Sequence, residues 1–149
     1  LAILADGKRC TCGNPGCLEA YACGPAFAER ARERAATAQQ SSLHEQARTL
    51  QPQDVFVAAA KGDELAQALV AEEARYLGIG ITSLLHLYSP EVVIIGGGLS
   101  NNFDQLAPGI SAYVQAFAMP AFRDVPVVKA ALGGNSGLIG AAELVFSEL

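Results

Sequence analysis

A short run of β-branched residues, Glu91–Ile95 (EVVII), constrains the fold more than any other segment of this chain. Its nearly continuous apolar character predicts a strand that is covered on both faces, as in a parallel or mixed sheet flanked by helices. Gly96–Gly98 ends this strand, a helix is predicted over Asn102–Ala118, and a second strand is predicted over Val125–Ala131. Leu138–Leu149 is predicted to form a terminal helix. The order of strand, helix, strand and helix predicts the α/β class.

The longest predicted helix lies directly ahead of this strand. Asp63 is a good N-cap, and apolar residues recur at three- and four-residue steps from there to about Tyr88. Pro90 ends the helix. Gly78 and Gly80 each weaken a helix by about 1 kcal/mol relative to alanine. We therefore expect another backbone to approach closely at these two positions.

The first half of the chain predicts shorter helices. Pro25 suits the start of a helix, and the alternating charges from Glu29 to Arg34 predict a solvated face. The polar segment Gln39–Gln53 predicts a surface connection, and Gln53–Ala60 a short helix. His86 lies between two leucines, which favours a buried, hydrogen-bonded core histidine.

Composition excludes several classes of protein. The chain has 149 residues, of which 51% are hydrophobic, and a net charge of -5, which argues against disorder. An acidic pI near 4.9 argues against a nucleic-acid footprint, which needs clustered lysine and arginine. No apolar run reaches the roughly 20 residues that a bilayer span requires. Because the chain begins at Leu1 and its only methionine is Met119, we interpret it as a piece of a longer polypeptide.

All four cysteines fall in one short segment, which indicates metal binding more than a disulfide scaffold. Cys10, Cys12 and Cys17 lie in a polar loop whose glycines permit the positive φ angles that fold a loop back on itself. Thiolates in a tetrahedral set select zinc, and a structural zinc site takes four ligands. The alternative is free cysteines packed as small apolar residues. That alternative suits Cys23 better than the other three.

These residues carry a resemblance to a known family. The segment CTCGNPGCLEAYACG resembles the cysteine signature of the ROK family (repressors, open reading frames and sugar kinases), C-x-C-G-x-x-G-C-x-E. LGIGITSLLHLYSPEVVIIGGGLS resembles the family's long helix, strand and glycine turn, and ALGGNSGLIGAA is similar to its C-terminal signature. Together these segments cover nearly the whole chain as the C-terminal half of a ROK protein.

The resemblance implies a fold and a division of the chain. ROK proteins share the actin-like ATPase fold of sugar kinases, in which a ribonuclease H-like lobe with a mixed sheet and flanking helices forms one side of a cleft for sugar and ATP. Residues 1–24 would form the zinc-binding loop and the start of a helix. Residues 25–149 would form the C-terminal lobe.

The resemblance also implies roles for the loop. Cys10, Cys12 and Cys17 would hold a structural zinc with a histidine whose position falls one residue ahead of Leu1. Taken alone, Glu19 is a carboxylate placed favourably at the start of a helix. The matching glutamate of ROK kinases contacts sugar, so the resemblance implies that Glu19 binds the substrate.

The glycine segments have two interpretations each. Glycine turns after strands are common, and this one matches neither the dinucleotide fingerprint nor a Walker loop. The resemblance implies that it lies against the adenosine of ATP, through Gly96, Gly97 and Gly98. The segment Gly133–Gly140, with Gly137, fits a turn with close helix packing as well as it fits a nucleotide contact.

The resulting functional expectation is the C-terminal part of an ATP-dependent hexose kinase, similar to a glucokinase, that uses ATP and magnesium in the cytoplasm as a homo-oligomer. The phosphate motif and the catalytic aspartate are expected upstream, so this chain alone should be catalytically silent. The alternative is the sugar-sensing domain of a ROK-type transcriptional repressor, whose upstream helix-turn-helix would be its only contact with nucleic acid. A purely structural zinc module would leave the sheet and the glycine turns unexplained.

Overall fold

The computed structural model describes residues 1–147. Within that part of the chain three α-helices precede the first of two short strands, and one α-helix follows each strand: α1 (Gly24–Ala35), α2 (Pro52–Ala60), α3 (Glu64–Tyr88), β1 (Val93–Ile95), α4 (Phe103–Phe117), β2 (Val127–Lys129) and α5 (Ser136–Ser147). Single 3-10 turns occur at Leu18–Ala20, Gly98–Asn102, Pro120–Phe122 and Gly133–Asn135. None of the helices in residues 1–147 combines the length and the apolar character that a membrane crossing needs.

The two strands form a parallel pair, with Val93 opposite Val127. The backbone N–H of Val93 donates to the Pro126 carbonyl at 2.9 Å, and the N–H of Ala130 donates to Ile95 at 2.9 Å. Parallel strands need a long crossover, which α4 supplies between β1 and β2. The predicted α/β class is therefore confirmed.

The coverage of β1 differs from the prediction. Val93 and Ile95 pack against the hydrophobic core, whereas Ile94 is 62% exposed. Successive side chains of a strand point to opposite faces, and no element among residues 1–147 covers the face that Ile94 occupies. The expectation of a strand covered on both faces is wrong for this part of the chain.

Helix α3 begins and ends as predicted. The carboxylate of Asp63 accepts the Ala66 backbone N–H at 2.9 Å, which caps the first turn. Leu69 and Leu85 are fully buried on the apolar stripe, and α3 packs mainly against α4 and α2. At the C-terminal end Ser89 adopts a left-handed conformation with φ 46°.

The glycines inside α3 accommodate side chains, not the backbone that was expected. A Cβ on Gly78 would lie 2.6 Å from the Cβ of Tyr113, and one on Gly80 would lie 2.6 Å from Cδ2 of Leu18. Both distances are shorter than any van der Waals contact between carbons. Leu18 precedes Glu19 in the chain, so Gly80 lets the turn that carries Glu19 rest directly on α3.

One charged residue of α1 is buried, contrary to the prediction of a solvated face. Arg30 is 8% exposed and its guanidinium forms an ion pair with Glu73 of α3, which is fully buried. Burial raises the pKa of Glu73 to about 7, and the positive charge of Arg30 opposes that shift. The sequence could not indicate this pairing, because 43 positions separate the two residues.

The segment Gln39–Gln53 is mostly exposed, as expected of a surface connection, although Leu43 and Leu50 are fully buried and anchor its turns to the core. One further prediction was wrong. His86 was expected in the core but is exposed at the end of α3, where its Nε2 accepts the Met119 backbone N–H at 3.0 Å. The error arose because flanking leucines do not determine burial: Leu85 is fully buried, whereas Leu87 is 66% exposed.

Candidate functional site

The cysteine loop is folded by its own backbone. The N–H of Cys10 donates to the Asn14 carbonyl at 2.8 Å, and the N–H of Gly13 donates back to Cys10 at 2.9 Å. Arg9 and Pro15 form an antiparallel bridge just outside this turn. The loop is therefore a tight hairpin that returns the chain to its starting point before Cys17.

This hairpin brings together the three cysteines that were predicted to bind metal. The sulfur atoms of Cys10, Cys12 and Cys17 all lie within 4.8 Å of one another, and those of Cys12 and Cys17 are 3.5 Å apart. In a tetrahedral zinc site with Zn–S bonds of about 2.3 Å the sulfurs lie roughly 3.8 Å apart. The donor set and its spacing fit a zinc ion.

The hairpin gives two neighbouring thiols opposite pKa shifts. The backbone N–H of Asn14, followed by the thiol of Cys17, lowers the pKa of Cys12 to about 7. Hydrogen bonding to Cys12, followed by burial, raises the pKa of Cys17 to about 11. Because a metal takes its cysteine ligands as thiolates, binding would displace the proton that Cys17 holds at neutral pH.

Among residues 1–147 no fourth ligand joins the three sulfurs. The Nδ1 of His44 lies 2.8 Å from the Ala35 carbonyl, and His86 is bonded to Met119. Cys23 is outside the cluster and precedes α1 as its N-cap residue. This position of Cys23 agrees with its interpretation as a thiol separate from the metal ligands.

Gly16 provides a test of the hairpin. Its φ is +71°, and a Cβ at this position would overlap the Leu4 carbonyl. Gly16→Ala should therefore destabilise the protein by about 3 kcal/mol or more, since it combines a left-handed alanine with steric overlap. Chemical denaturation of the full-length protein measures this loss.

Gly13→Ala is the matched control, because Gly13 has φ +91° but no atom within 4 Å of its would-be Cβ. It should cost only about 1 kcal/mol. Equal stabilities of the two variants would contradict the structure of the hairpin.

Glu19 lies in the 3-10 turn that follows Cys17, and its side chain is exposed. It lines a cleft of about 470 Å³ together with Cys10, Ala20, Cys23 and the charged residues Lys8, Arg9, Glu29 and Arg32. Clefts of roughly 300–1,000 Å³ are the usual size for small-molecule sites. The structure thus brings the predicted substrate residue and one predicted metal ligand to the same cleft.

The glycine turn lines a second cleft. Gly96, Gly97 and Gly98 lie at the carboxyl end of β1 and enclose about 550 Å³ with the beginnings of α1 and α2. Gly97 has φ +82°, and no atom lies within 4 Å of a Cβ built on Gly97 or Gly98. An open backbone at the carboxyl end of a parallel strand is where α/β sheets bind ligands.

Gly137 is not part of this cleft. It lies in the first turn of α5 and no atom of the described residues lies within 4 Å of its would-be Cβ. The close helix packing that was considered for this glycine is therefore absent from residues 1–147. The nearby turn Gly133–Asn135 does contact the turn Gly98–Asn102, which places the two glycine segments side by side.

Two residues that the sequence did not identify join the clefts. Cys23 and Pro25 line both the cleft of Glu19 and the cleft of the glycine turn. The sequence indicated only that Pro25 begins a helix, which α1 confirms. No signal in the sequence showed that this helix start separates two sites, because the glycine turn lies about seventy positions further along the chain.

The chain is similar in sequence to curated proteins of two kinds. The chain is 36% identical over 147 residues to a glucokinase of Halalkalibacterium halodurans, covering 96% of this chain and 44% of that protein. It is 34% identical over 139 residues to the DNA-binding transcriptional repressor Mlc of Escherichia coli, covering 93% of this chain and 34% of the repressor. The chain thus spans less than half the length of these relatives.

A solved structure shows the same fold. A ROK family glucokinase from Streptomyces griseus, crystallised with glucose and AMPPNP, superposes with a TM-score of 0.81 at 30% identity, over 97% of this chain and 49% of the glucokinase. The mixed α/β fold is accordingly the actin-like ATPase fold of the ROK sugar kinases. The model of the ROK family matches residues 2–148, and the chain belongs to the ROK family.

Proposed function

We propose that this chain is the C-terminal part of an ATP-dependent hexose kinase. One observation carries the proposal: the cleft of Glu19 and the cleft of the glycine turn share Cys23 and Pro25 as a common wall. Phosphoryl transfer requires the acceptor hydroxyl and the γ-phosphate to meet in line, so the two substrates must occupy adjoining spaces. Two clefts that adjoin at the beginning of α1 meet that requirement.

In this proposal the hexose occupies the cleft of Glu19, whose carboxylate accepts hydrogen bonds from sugar hydroxyls. Charge-assisted hydrogen bonds of this kind are strong and directional. A zinc ion held by Cys10, Cys12 and Cys17 would cross-link the hairpin that leads into the Glu19 turn. The domain assignment follows, with residues 1–24 as the metal loop and residues 25–149 as the lobe.

ATP occupies the second cleft in this proposal, with its adenosine against Gly96, Gly97 and Gly98. The absence of side chains there permits a flat base to approach the backbone. The stretch containing Gly137 would contribute a further nucleotide contact. Support comes from the Streptomyces griseus glucokinase, whose crystals contained both glucose and AMPPNP.

The reaction transfers the γ-phosphoryl group from ATP to a sugar hydroxyl. An oxygen–phosphorus bond forms at the sugar, the bond to the β-phosphate oxygen breaks, ADP leaves, and a carboxylate base accepts the hydroxyl proton. Asp54 and Asp63 cap helices in this chain and are therefore engaged structurally. We place the base and the magnesium site in the half of the relatives that this chain does not span, and we propose a homo-oligomer as the working form.

A sugar-responsive transcriptional repressor is the second candidate. The 34% identity to Mlc favours it nearly as much as the 36% identity to the glucokinase favours a kinase. A repressor would retain the sugar cleft and require no phosphoryl transfer. The repressor therefore accounts for Glu19 and the metal loop but not for an open glycine turn beside the sugar cleft.

The test is ADP formation by the full-length protein with ATP, magnesium and each common hexose. The kinase proposal expects ADP release that depends on both ATP and a hexose. Absence of turnover with every hexose, combined with sugar-dependent release from a DNA operator, would contradict the kinase and support the repressor.

A further inference from the structure

Arg30 connects the Glu19 turn to the interior of the protein. Its Nη1 donates to the carbonyl of Tyr21 at 2.9 Å, and its Nη2 lies 2.5 Å from Oε2 of Glu73. Its Nε lies 3.2 Å from Oε2 of Glu72. The guanidinium is also stacked over the ring of Tyr76, at 5.2 Å from the centroid. Both terminal nitrogens of this buried cation therefore have a hydrogen-bond partner, whereas its Nε lies beside Glu72 without forming a hydrogen bond.

Tyr21 transmits this anchoring to the cysteine loop. Its backbone N–H donates to the Leu18 carbonyl at 3.0 Å and so ends the turn that carries Glu19. Its hydroxyl accepts the backbone N–H of Lys8, two residues before Cys10. One buried tyrosine thus contacts both the entry to the metal hairpin and the exit from the Glu19 turn.

The energetics indicate that this arrangement serves geometry more than stability. A buried ion pair loses in desolvation much of what it gains in attraction, so it contributes little net stability. The guanidinium fork, in contrast, fixes the relative direction of the groups that it bridges. Here those groups are the Tyr21 carbonyl and a fully buried carboxylate, Glu73, on the longest helix.

We propose that Arg30 is a positioning residue. Its buried guanidinium donates a hydrogen bond to the Tyr21 carbonyl and so holds the Glu19 turn in its binding orientation. This inference rests on the proposed function, because it assigns a purpose to the orientation of Glu19. Neither Arg30 nor the residues that contact its guanidinium line either cleft. Arg30 would therefore affect the substrate only through the backbone of Tyr21, two residues beyond Glu19.

The variant Arg30→Lys tests this role in the full-length protein. Lysine keeps a positive charge beside Glu73, so the variant should fold, but a single ammonium cannot reproduce the fork to the Tyr21 carbonyl. Loss of one charge-assisted hydrogen bond at the Glu19 turn is expected to raise the KM for hexose about tenfold. The kcat and the KM for ATP should stay within about twofold, because the second cleft is not contacted.

Arg34→Lys is the matched control, since Arg34 lies one helical turn further and shares Glu72 but does not reach Tyr21. Its hexose KM should match that of the unaltered protein. An unchanged hexose KM in Arg30→Lys would overturn the proposal. The proposal would also be overturned if kcat and both KM values worsened by similar factors, or if circular dichroism showed that the variant does not fold. Either result would identify Arg30 as purely structural.

A second readout separates this inference from the proposed function. If the unaltered full-length protein forms no ADP with any hexose, the kinase proposal fails, and amide hydrogen exchange then decides the role of Arg30. Exchange in the segment 18–22 should accelerate about tenfold in Arg30→Lys and remain unchanged in Arg34→Lys. Equal exchange in the two variants would overturn the positioning role.

Discussion

Replacing Cys12 with serine in the full-length protein is expected to reduce its zinc content from about one ion per chain to nearly none. The sulfur of Cys12 lies 3.5 Å from that of Cys17 and belongs to the only cluster of three potential metal ligands within residues 1–147. A serine hydroxyl is not ionised at neutral pH and is a poor zinc ligand. Plasma mass spectrometry of protein purified under reducing conditions measures this change.

Cys23→Ser is the control for this experiment. Its thiol lies outside the sulfur cluster, so the variant should retain its full zinc content. Equal zinc in the Cys12 variant and the unaltered protein would contradict the metal site. So would a loss of zinc in the Cys23 variant that matched the loss in the Cys12 variant.

Replacing Glu19 with glutamine is expected to weaken hexose binding by the full-length protein about 10- to 100-fold, as when a hydrogen bond to a charged group is lost. Glutamine has nearly the same shape but offers one neutral acceptor in place of a carboxylate. The affinity for ATP should change less than about twofold, since the glycine turn lies in the other cleft. Isothermal titration calorimetry with each ligand measures both affinities.

Glu33→Gln provides the matched control for charge. Oε2 of Glu33 lies 3.9 Å from Nζ of Lys8, but Glu33 does not line the cleft of Glu19. If both variants weaken hexose binding equally, the effect reflects the net charge of this face, and the assignment of Glu19 to the sugar is wrong.

The features that the sequence predicted are those set by local chemistry. The N-cap at Asp63, the proline in the first turn of α1 and the glycine-rich cysteine hairpin each depend on residues a few positions apart. Short spacing leaves few alternative conformations, so the residue types alone specify the local structure. The three sulfurs were predicted to lie close together for the same reason, because only eight residues include all three cysteines.

The features that the sequence missed depend on distant contacts. The burial of Arg30 requires Glu73, and the fit of Gly78 requires Tyr113 on another helix. The exposure of Ile94 depends on which elements cover the second face of the sheet. Residue type and periodicity contain no record of such partners, because packing between segments that are distant in the sequence determines them.

The same distinction applies to the candidate site. Glu19 and the glycine turn were each identified from motifs, but their adjoining clefts were not. That adjacency arises because α2 packs both against α1 and against the turn Gly98–Asn102 that follows β1. It is also the observation on which the kinase proposal depends.

The most direct test measures glucose binding by the full-length protein before and after its metal is removed with a chelator. If the metal hairpin orients Glu19, removal should weaken glucose binding about tenfold or more, and added zinc should restore it. By thermodynamic linkage, glucose should strengthen zinc retention by the same factor. Identical glucose affinities in the metal-loaded and metal-free protein would contradict the claim that the three cysteines position Glu19 for carbohydrate.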